Sequence, residues 1–192
     1  MAGFIHKKNR FTSFQIIIGG FIAVILIGAL LLMLPVSSKA GIITPFNEAL
    51  FTSTSAVCVT GLVVQDTATY WSWFGQGIIL VLIQIGGLGV ITIAVSFALL
   101  SGRKISLMQR SVMQEAISAP KVGGIVRLTG FVLKGTFLVE FTASIIMMPV
   151  FVKDFGAKGI WMAIFHSISA FCNAGFDLMG TENAKYASLT SY

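Results

Sequence analysis

The chain has 192 residues, 56% of them hydrophobic and 10% charged, and a mean hydropathy of +0.91. Soluble globular domains carry about 25% charged residues, so these side chains cannot cover a water-facing surface, which excludes a soluble enzyme, a nucleic-acid-binding domain and a disordered tail. The net charge of +6 is therefore read against a lipid bilayer, not nucleic acid.

Residues 1–13 form a basic N-terminus with Lys7, Lys8 and Arg10. Phe14–Pro35 carries no charge and is long enough to span a bilayer, which takes about 20 apolar residues. Ser38-Lys39-Ala40 is a passable cleavage site, but a secretory apolar core runs only about 7–15 residues, so the run reads as a spanning helix. Pro45–Val57 is apolar but too short to cross, as a buried or re-entrant helix would be. Trp71–Leu100, uncharged throughout, reads as a second span. The linker 101–127 is basic, and Ile105, Met108 and Val112 at helical spacing fit an interfacial helix on lipid headgroups, ended by Pro120 and Gly123-Gly124. Leu128–Val152 is a third span holding Lys134, close enough to one end to snorkel, and Glu140, near the middle and in need of a partner that the sequence does not name. Ile160–Phe171 is a second short segment, and beyond Gly180 residues 181–192 turn polar.

Lys7, Lys8, Arg10, Arg103, Lys104, Arg110, Lys121 and Arg127 fall on one side of these spans, which is therefore expected to be cytoplasmic and to hold the N-terminus. Glu48, Asp66, Asp154, Asp177 and Glu182 fall on the other, so the outer face is the more acidic and suits attraction of cations.

The sequence aligns with itself, without a gap, at an offset of 114 residues. Met33, Pro35 and Val36 meet Met147, Pro149 and Val150; Ala49, Phe51, Ser53, Ser55, Ala56, Cys58 and Gly61 meet Ala163, Phe165, Ser167, Ser169, Ala170, Cys172 and Gly175. Hydrophobic bias matches Leu with Ile, but not Ser, Cys, Gly and Pro in one register. The repeating unit is spanning helix, short helix, glycine loop, spanning helix, and its two copies are parallel. A short helix that stops inside a membrane leaves backbone groups that lipid cannot satisfy, so the loop after it must be buried in protein or line a water-filled cavity. The loops Cys58-Val59-Thr60-Gly61-Leu62 and Cys172-Asn173-Ala174-Gly175-Phe176 each place glycine where a positive φ lets carbonyls share one side. Such carbonyls replace the water shell of a potassium ion.

On Ser55-Ala56-Val57-Cys58-Val59-Thr60-Gly61-Leu62, on Ala170-Phe171-Cys172-Asn173-Ala174-Gly175-Phe176-Asp177 and on Gln84-Ile85-Gly86-Gly87-Leu88-Gly89, the chain resembles the membrane subunit of the Trk/Ktr/HKT superfamily of potassium transporters, the bacterial Ktr branch most. The resemblance implies an all-α integral membrane fold with four helix–pore loop–helix repeats around one pore. It makes Gly61 and Gly175 filter glycines, with Cys58, Val59, Thr60, Leu62, Cys172, Asn173, Ala174 and Phe176 beside them, and potassium the transported ion, with sodium as a coupling ion. It also implies a bacterial inner-membrane homodimer on a cytosolic nucleotide-binding regulatory ring, docked on the linker at Arg103, Lys104 and Arg110. The chain departs from that pattern in length: repeat one covers 14–100, repeat two is incomplete at 128–180, and the sequence reads as an N-terminal fragment.

Plainer readings stand beside these. Gly61 and Gly175 could terminate helices. Gly86, Gly87 and Gly89 suit close helix packing. Cys58 and Cys172, with His166, could bind a metal, but buried cysteine is more often a small apolar filler. Asp66 and Asp177 are expected at an outer mouth. The competing functions are a homo-oligomeric cation channel and a non-conducting membrane scaffold; no Ser/His/Asp set or carboxylate pair suggests an enzyme.

Overall fold

The computed structural model describes residues 12–90, 92–93, 107–116, 124–180 and 188. Lys7, Lys8, Arg10, Arg103, Lys104, Ile105, Pro120, Lys121 and all of the polar tail but Ser188 lie outside them. The described residues are helical, apart from turns, loops and an isolated antiparallel bridge between Ser38 and Trp71. In chain order they form α1 (Ser13–Leu32), a 3-10 turn (Pro35–Ser37), α2 (Phe46–Val57), α3 (Trp73–Leu88), α4 (Leu107–Ala116), α5 (Ile125–Phe155) and α6 (Lys158–Phe171).

α1 starts on a capping box: the Thr12 hydroxyl accepts from Gln15 N–H at 3.3 Å, and the Gln15 side chain accepts from Thr12 N–H at 3.0 Å. Its 20 residues reach about 30 Å, the thickness of a bilayer's hydrocarbon core. α5 has 31 residues between its caps Gly124 and Gly156, three residues beyond the expected span at each end, with Pro149 inside it. Both helices are apolar and mostly uncovered: Phe14, Ile18, Ile22, Ile27 and Leu30 on α1 and Phe131, Phe137, Leu138, Phe141 and Ile146 on α5 are exposed. So much bare apolar surface is at home in lipid, and the protein is a membrane protein.

The second expected span is interrupted. α3 begins at the Ser72 cap and has 16 residues before Gly89, at φ 84 and ψ 133, breaks it; helix resumes at Val90. A residue with a side chain resists that φ, and the run Gly86-Gly87-Leu88-Gly89 holds a helix poorly.

The short helices α2 and α6 are the buried ones. Ala49, Ala56, Val57, Ala163, Phe165 and His166 are among the most enclosed residues, packed with Leu32, Ile79 and Ile83 of α1 and α3. α2 packs in the angle of α1 and α3, and α6 lies along α5 and touches α3. Small residues set these approaches: a Cβ on Gly28 would lie 2.5 Å from Ser53 Oγ and 2.8 Å from the Leu82 methyls. On the loop side, Ser72 N–H donates to the Ser37 carbonyl at 2.9 Å and Lys39 N–H to the Tyr70 carbonyl at 2.9 Å, so the segment after α1 is fixed to the start of α3.

α4 is the helix expected in the basic linker. Val112 and Met113 are buried against Ile16, Ile17, Ile125 and Val126, so this face is packed on protein at the roots of α1 and α5, while Arg110 is exposed.

Gly28→Val should lower the stability of the detergent-solubilised protein by about 2 kcal/mol, because the added methyls overpack a closed contact. Gly19→Ala, where a Cβ meets nothing within 4 Å, should leave it unchanged or raise it slightly. Thermal unfolding of the two variants side by side checks this.

Candidate functional site

α2 and α6 end in the same way. After α2, Val59 N–H donates to the Ala56 carbonyl at 3.3 Å and Thr60 N–H to the Ser55 carbonyl at 3.0 Å; after α6, Asn173 N–H donates to Ala170 at 3.0 Å and Ala174 N–H to Ser169 at 2.7 Å. Donors and acceptors correspond residue for residue at the 114-residue offset. This is the Schellman termination, whose left-handed position is normally glycine. Here it is held by Val59 at φ 57 and Asn173 at φ 56. Asn tolerates that conformation, whereas a β-branched Val is strained in it.

Gly61 (φ 71) and Gly175 (φ 74) come two residues later. They are therefore not the helix-terminating glycines that the plainer reading expects. Their positive φ belongs to the loop, and its purpose is close approach. A Cβ at Gly61 would lie 2.7 Å from the Ala174 carbonyl oxygen and 3.0 Å from Gly175 Cα; one at Gly175 would lie 3.2 Å from Gly61 Cα. Two loops distant in sequence thus meet backbone to backbone at their glycines.

Each short helix is pinned to a long one by the serine that recurs in the repeat. Ser53 Oγ donates to the Ile25 carbonyl of α1 at 2.7 Å, and Ser167 Oγ donates to the Glu140 carbonyl of α5 at 2.6 Å. Ser55 and Ser169 hold the loops: Ser55 Oγ pairs with Thr60 Oγ1 at 2.8 Å, and Ser169 Oγ donates to the Phe176 carbonyl at 2.6 Å. The Phe176 ring is buried, and its carbonyl is engaged inward by Ser169. His166 Nε2 accepts from Leu178 N–H at 3.0 Å, which assigns the ring proton to Nδ1 and ties the outgoing chain to α6. The ring stacks on Phe151, with centroids 5.1 Å apart. None of the four serines was expected to be a site residue from sequence, although their recurrence was visible there, and His166 was weighed there only as a metal ligand beside the two cysteines.

The remaining site residues divide. Cys58, Thr60 and Leu62 are exposed and Val59 is half-buried; in the second loop Asn173 and Gly175 are exposed, Cys172 is half-buried and Ala174 is buried. Both cysteines are free thiols. Asp66 Oδ1 accepts from Thr69 N–H and Thr69 Oγ1, both at 2.7 Å, and Asp177 Oδ1 accepts from Met179 N–H at 3.0 Å, so each carboxylate shapes the turn that follows it. Gly180, at φ 47, brings the segment leaving the second loop against Ala68 and Thr69, which follow the first.

Gly86 and Gly87 are contact glycines of α3: a Cβ on Gly86 would run into the Val57 carbonyl and one on Gly87 into Cys172 Sγ. One helix therefore touches the roots of both loops. Gly89 instead interrupts the helix. Of the linker residues expected to dock a partner, Arg110 is exposed on α4, and Arg103 and Lys104 lie outside the described residues.

A family model described as TrkH, cation transport protein, matches residues 6–189. The chain is 44% identical over 174 residues to the potassium/sodium uptake protein NtpJ of Enterococcus hirae, covering 90% of this chain and 39% of that protein. It is 44% identical over 173 residues to the Ktr system potassium uptake protein B of Bacillus subtilis, covering 90% and 38%, and 37% identical over 175 residues to the protein of the same description in Vibrio alginolyticus, covering 91% and 38%. The chain thus spans well under half the length of these relatives.

Asn173→Val should destabilise the protein by about 1–2 kcal/mol through the left-handed conformation that it forces on a β-branched residue. Asn173→Gly should not. Asn173 is exposed, so little burial is lost in either case, and thermal unfolding in detergent reads the difference.

Proposed function

For a chain that belongs to the TrkH cation transport protein family, we propose that it supplies part of the pore of a potassium uptake system, with the loops after α2 and α6 as two segments of its ion filter. The observation that carries this reading is the meeting of the two loops at Gly61 and Gly175, each built by the same hydrogen bonds and the same left-handed pattern. Positive φ at 59 and 61, and again at 173 and 175, alternates with ordinary backbone between. Such alternation turns successive peptide groups to one side, which is what a row of carbonyl ligands needs. The relatives' names include potassium and sodium uptake.

In this reading α1, α2 and α3 with their loop form a first helix–pore helix–helix unit within 14–100, and α5 and α6 open a second within 128–180. Cys58, Val59, Thr60, Gly61 and Leu62, with Cys172, Asn173, Ala174, Gly175 and Phe176, line or shape the filter. The Phe176 carbonyl, held by Ser169, serves the loop's shape more than the ion. The carbonyl ends of α2 and α6 point their partial negative charge toward the cation. Asp66 and Asp177 stand at the outer mouth. The protein sits in a bacterial inner membrane with its N-terminus in the cytoplasm, an orientation that the distribution of basic residues supports. Sodium coupling, a homodimer and a cytosolic nucleotide-binding ring that docks near Arg103, Lys104 and Arg110 belong to the same proposal. The chemistry is translocation: weak, repeated coordination lets the ion leave as readily as it enters.

Gly61→Ala and Gly175→Ala, made in the whole protein, should each raise the KM for potassium about five- to thirtyfold, because a Cβ there costs on the order of 1–2 kcal/mol in conformation alone. Gly61→Ala should be the more severe, since its Cβ would press on the Ala174 carbonyl. Potassium uptake by an uptake-deficient bacterial strain measures this. Unchanged KM in both variants at normal membrane abundance would refute the filter assignment.

A further inference from the structure

α3 carries two glutamines that reach across to the second unit, and they differ in how fully they are used. Gln76 is saturated: Nε2 donates to the carbonyls of Thr67 and Trp71, both at 3.2 Å, and Oε1 accepts from Trp161 Nε1 at 2.9 Å. Gln84, eight residues and about 12 Å further along the helix, donates Nε2 to Glu140 Oε1 at 2.9 Å. Its own Oε1 is buried and has no hydrogen-bond partner. Glu140 is 4% exposed, midway along a lipid-facing helix, where an ionisable residue is costly to keep.

The location of this pair gives it a use. Gly86 and Gly87, two and three residues after Gln84, are the positions that touch Val57 and Cys172, the roots of the two loops. The backbone carbonyl of Glu140 is the acceptor that Ser167 uses to anchor α6. The Gln84–Glu140 bond thus joins the helix behind both loops to the residue that anchors the second. Because it lies in a low-dielectric interior, a change in it is felt by what it positions.

We propose that Gln84 and Glu140 are positioning residues that set the spacing of the two glycine loops, and through that spacing the preference for potassium over sodium. This rests on the transport reading above. Glu140 acts here as a hydrogen-bond acceptor of the right length, not as a charge offered to the ion. A glutamine at 140 would keep the acceptor and could also donate to the unsatisfied Gln84 Oε1.

The test is uptake by the whole protein in potassium-uptake-deficient cells, with KM measured for potassium and for sodium and membrane abundance measured in parallel. Glu140→Ala and Gln84→Ala should each reduce the potassium-over-sodium discrimination about three- to tenfold, the range of an interhelical hydrogen bond in a membrane. Glu140→Gln should stay within about twofold of the parent, as one retained bond allows. The exchange Q84E/E140Q should recover what Gln84→Glu alone loses. A merely structural pair would change abundance or maximal rate and leave discrimination untouched. Alanine variants with parental discrimination overturn the proposal, and so does Glu140→Gln behaving like Glu140→Ala, which would assign the role to charge. If the alanine variants fail to accumulate, Gln84→Glu against the exchange decides, and an exchange no better than the single variant overturns it. No potassium uptake by the unsubstituted protein would overturn the transport reading itself, an outcome distinct from uptake with unaltered discrimination.

Discussion

Two serine hydroxyls govern how this chain can be assembled. α2 and α6 are too short to cross a bilayer, and each ends with its chain turning away from the helix axis into a loop. Their last carbonyls and the amides that follow need partners where lipid offers none. The Schellman termination supplies partners within each loop. Ser53 and Ser167 then fix each short helix to a backbone carbonyl of the long helix before it, Ile25 on α1 and Glu140 on α5. With the short helices held this way, the loops come out at matching places, and Gly61 can meet Gly175.

α3 completes the arrangement by being narrow where it has to be. Gly86 and Gly87 let it lie directly on Val57 and Cys172, and a side chain on either would strike them. The same glycines weaken the helix, which breaks at Gly89 soon after the contact. Small residues give close packing here, as expected where apolar burial cannot drive helices together in lipid, and buried side-chain hydrogen bonds add direction. Gln76 to Trp161 and Gln84 to Glu140 are two such bonds at different depths along one helix.

The two loops share a backbone but differ in their fittings. The first is open, with Thr60 braced by Ser55. The second is drawn inward: Ala174 and Phe176 are buried, Ser169 takes the Phe176 carbonyl, and His166 takes the Leu178 amide. His166 stands where the first unit has Thr52. Two loops of unlike sequence thus hold one backbone shape with different side-chain supports, and it is in those supports that they diverge.

Much of this was legible without coordinates, because hydropathy and periodicity are properties of the chain. Composition placed the protein in lipid, run length separated α1 and α5 from α2 and α6, and the offset of 114 residues identified which loops correspond. The break at Gly89 was not legible, since glycine in an apolar run is compatible with packing, with bending, or with both. That helix termination falls to Val59 and Asn173, leaving Gly61 and Gly175 for the contact between loops, required backbone angles that a β-branched residue would not suggest. Nor could the sequence give Glu140 its partner: Gln84 is 56 residues away on another helix, and Lys134, the nearer charge, is exposed. Local sequence determines where a helix begins, how far it runs and which residues recur. Which buried polar groups meet is decided only when the helices pack, because each such bond depends on the relative depth and rotation of two elements that neither specifies alone.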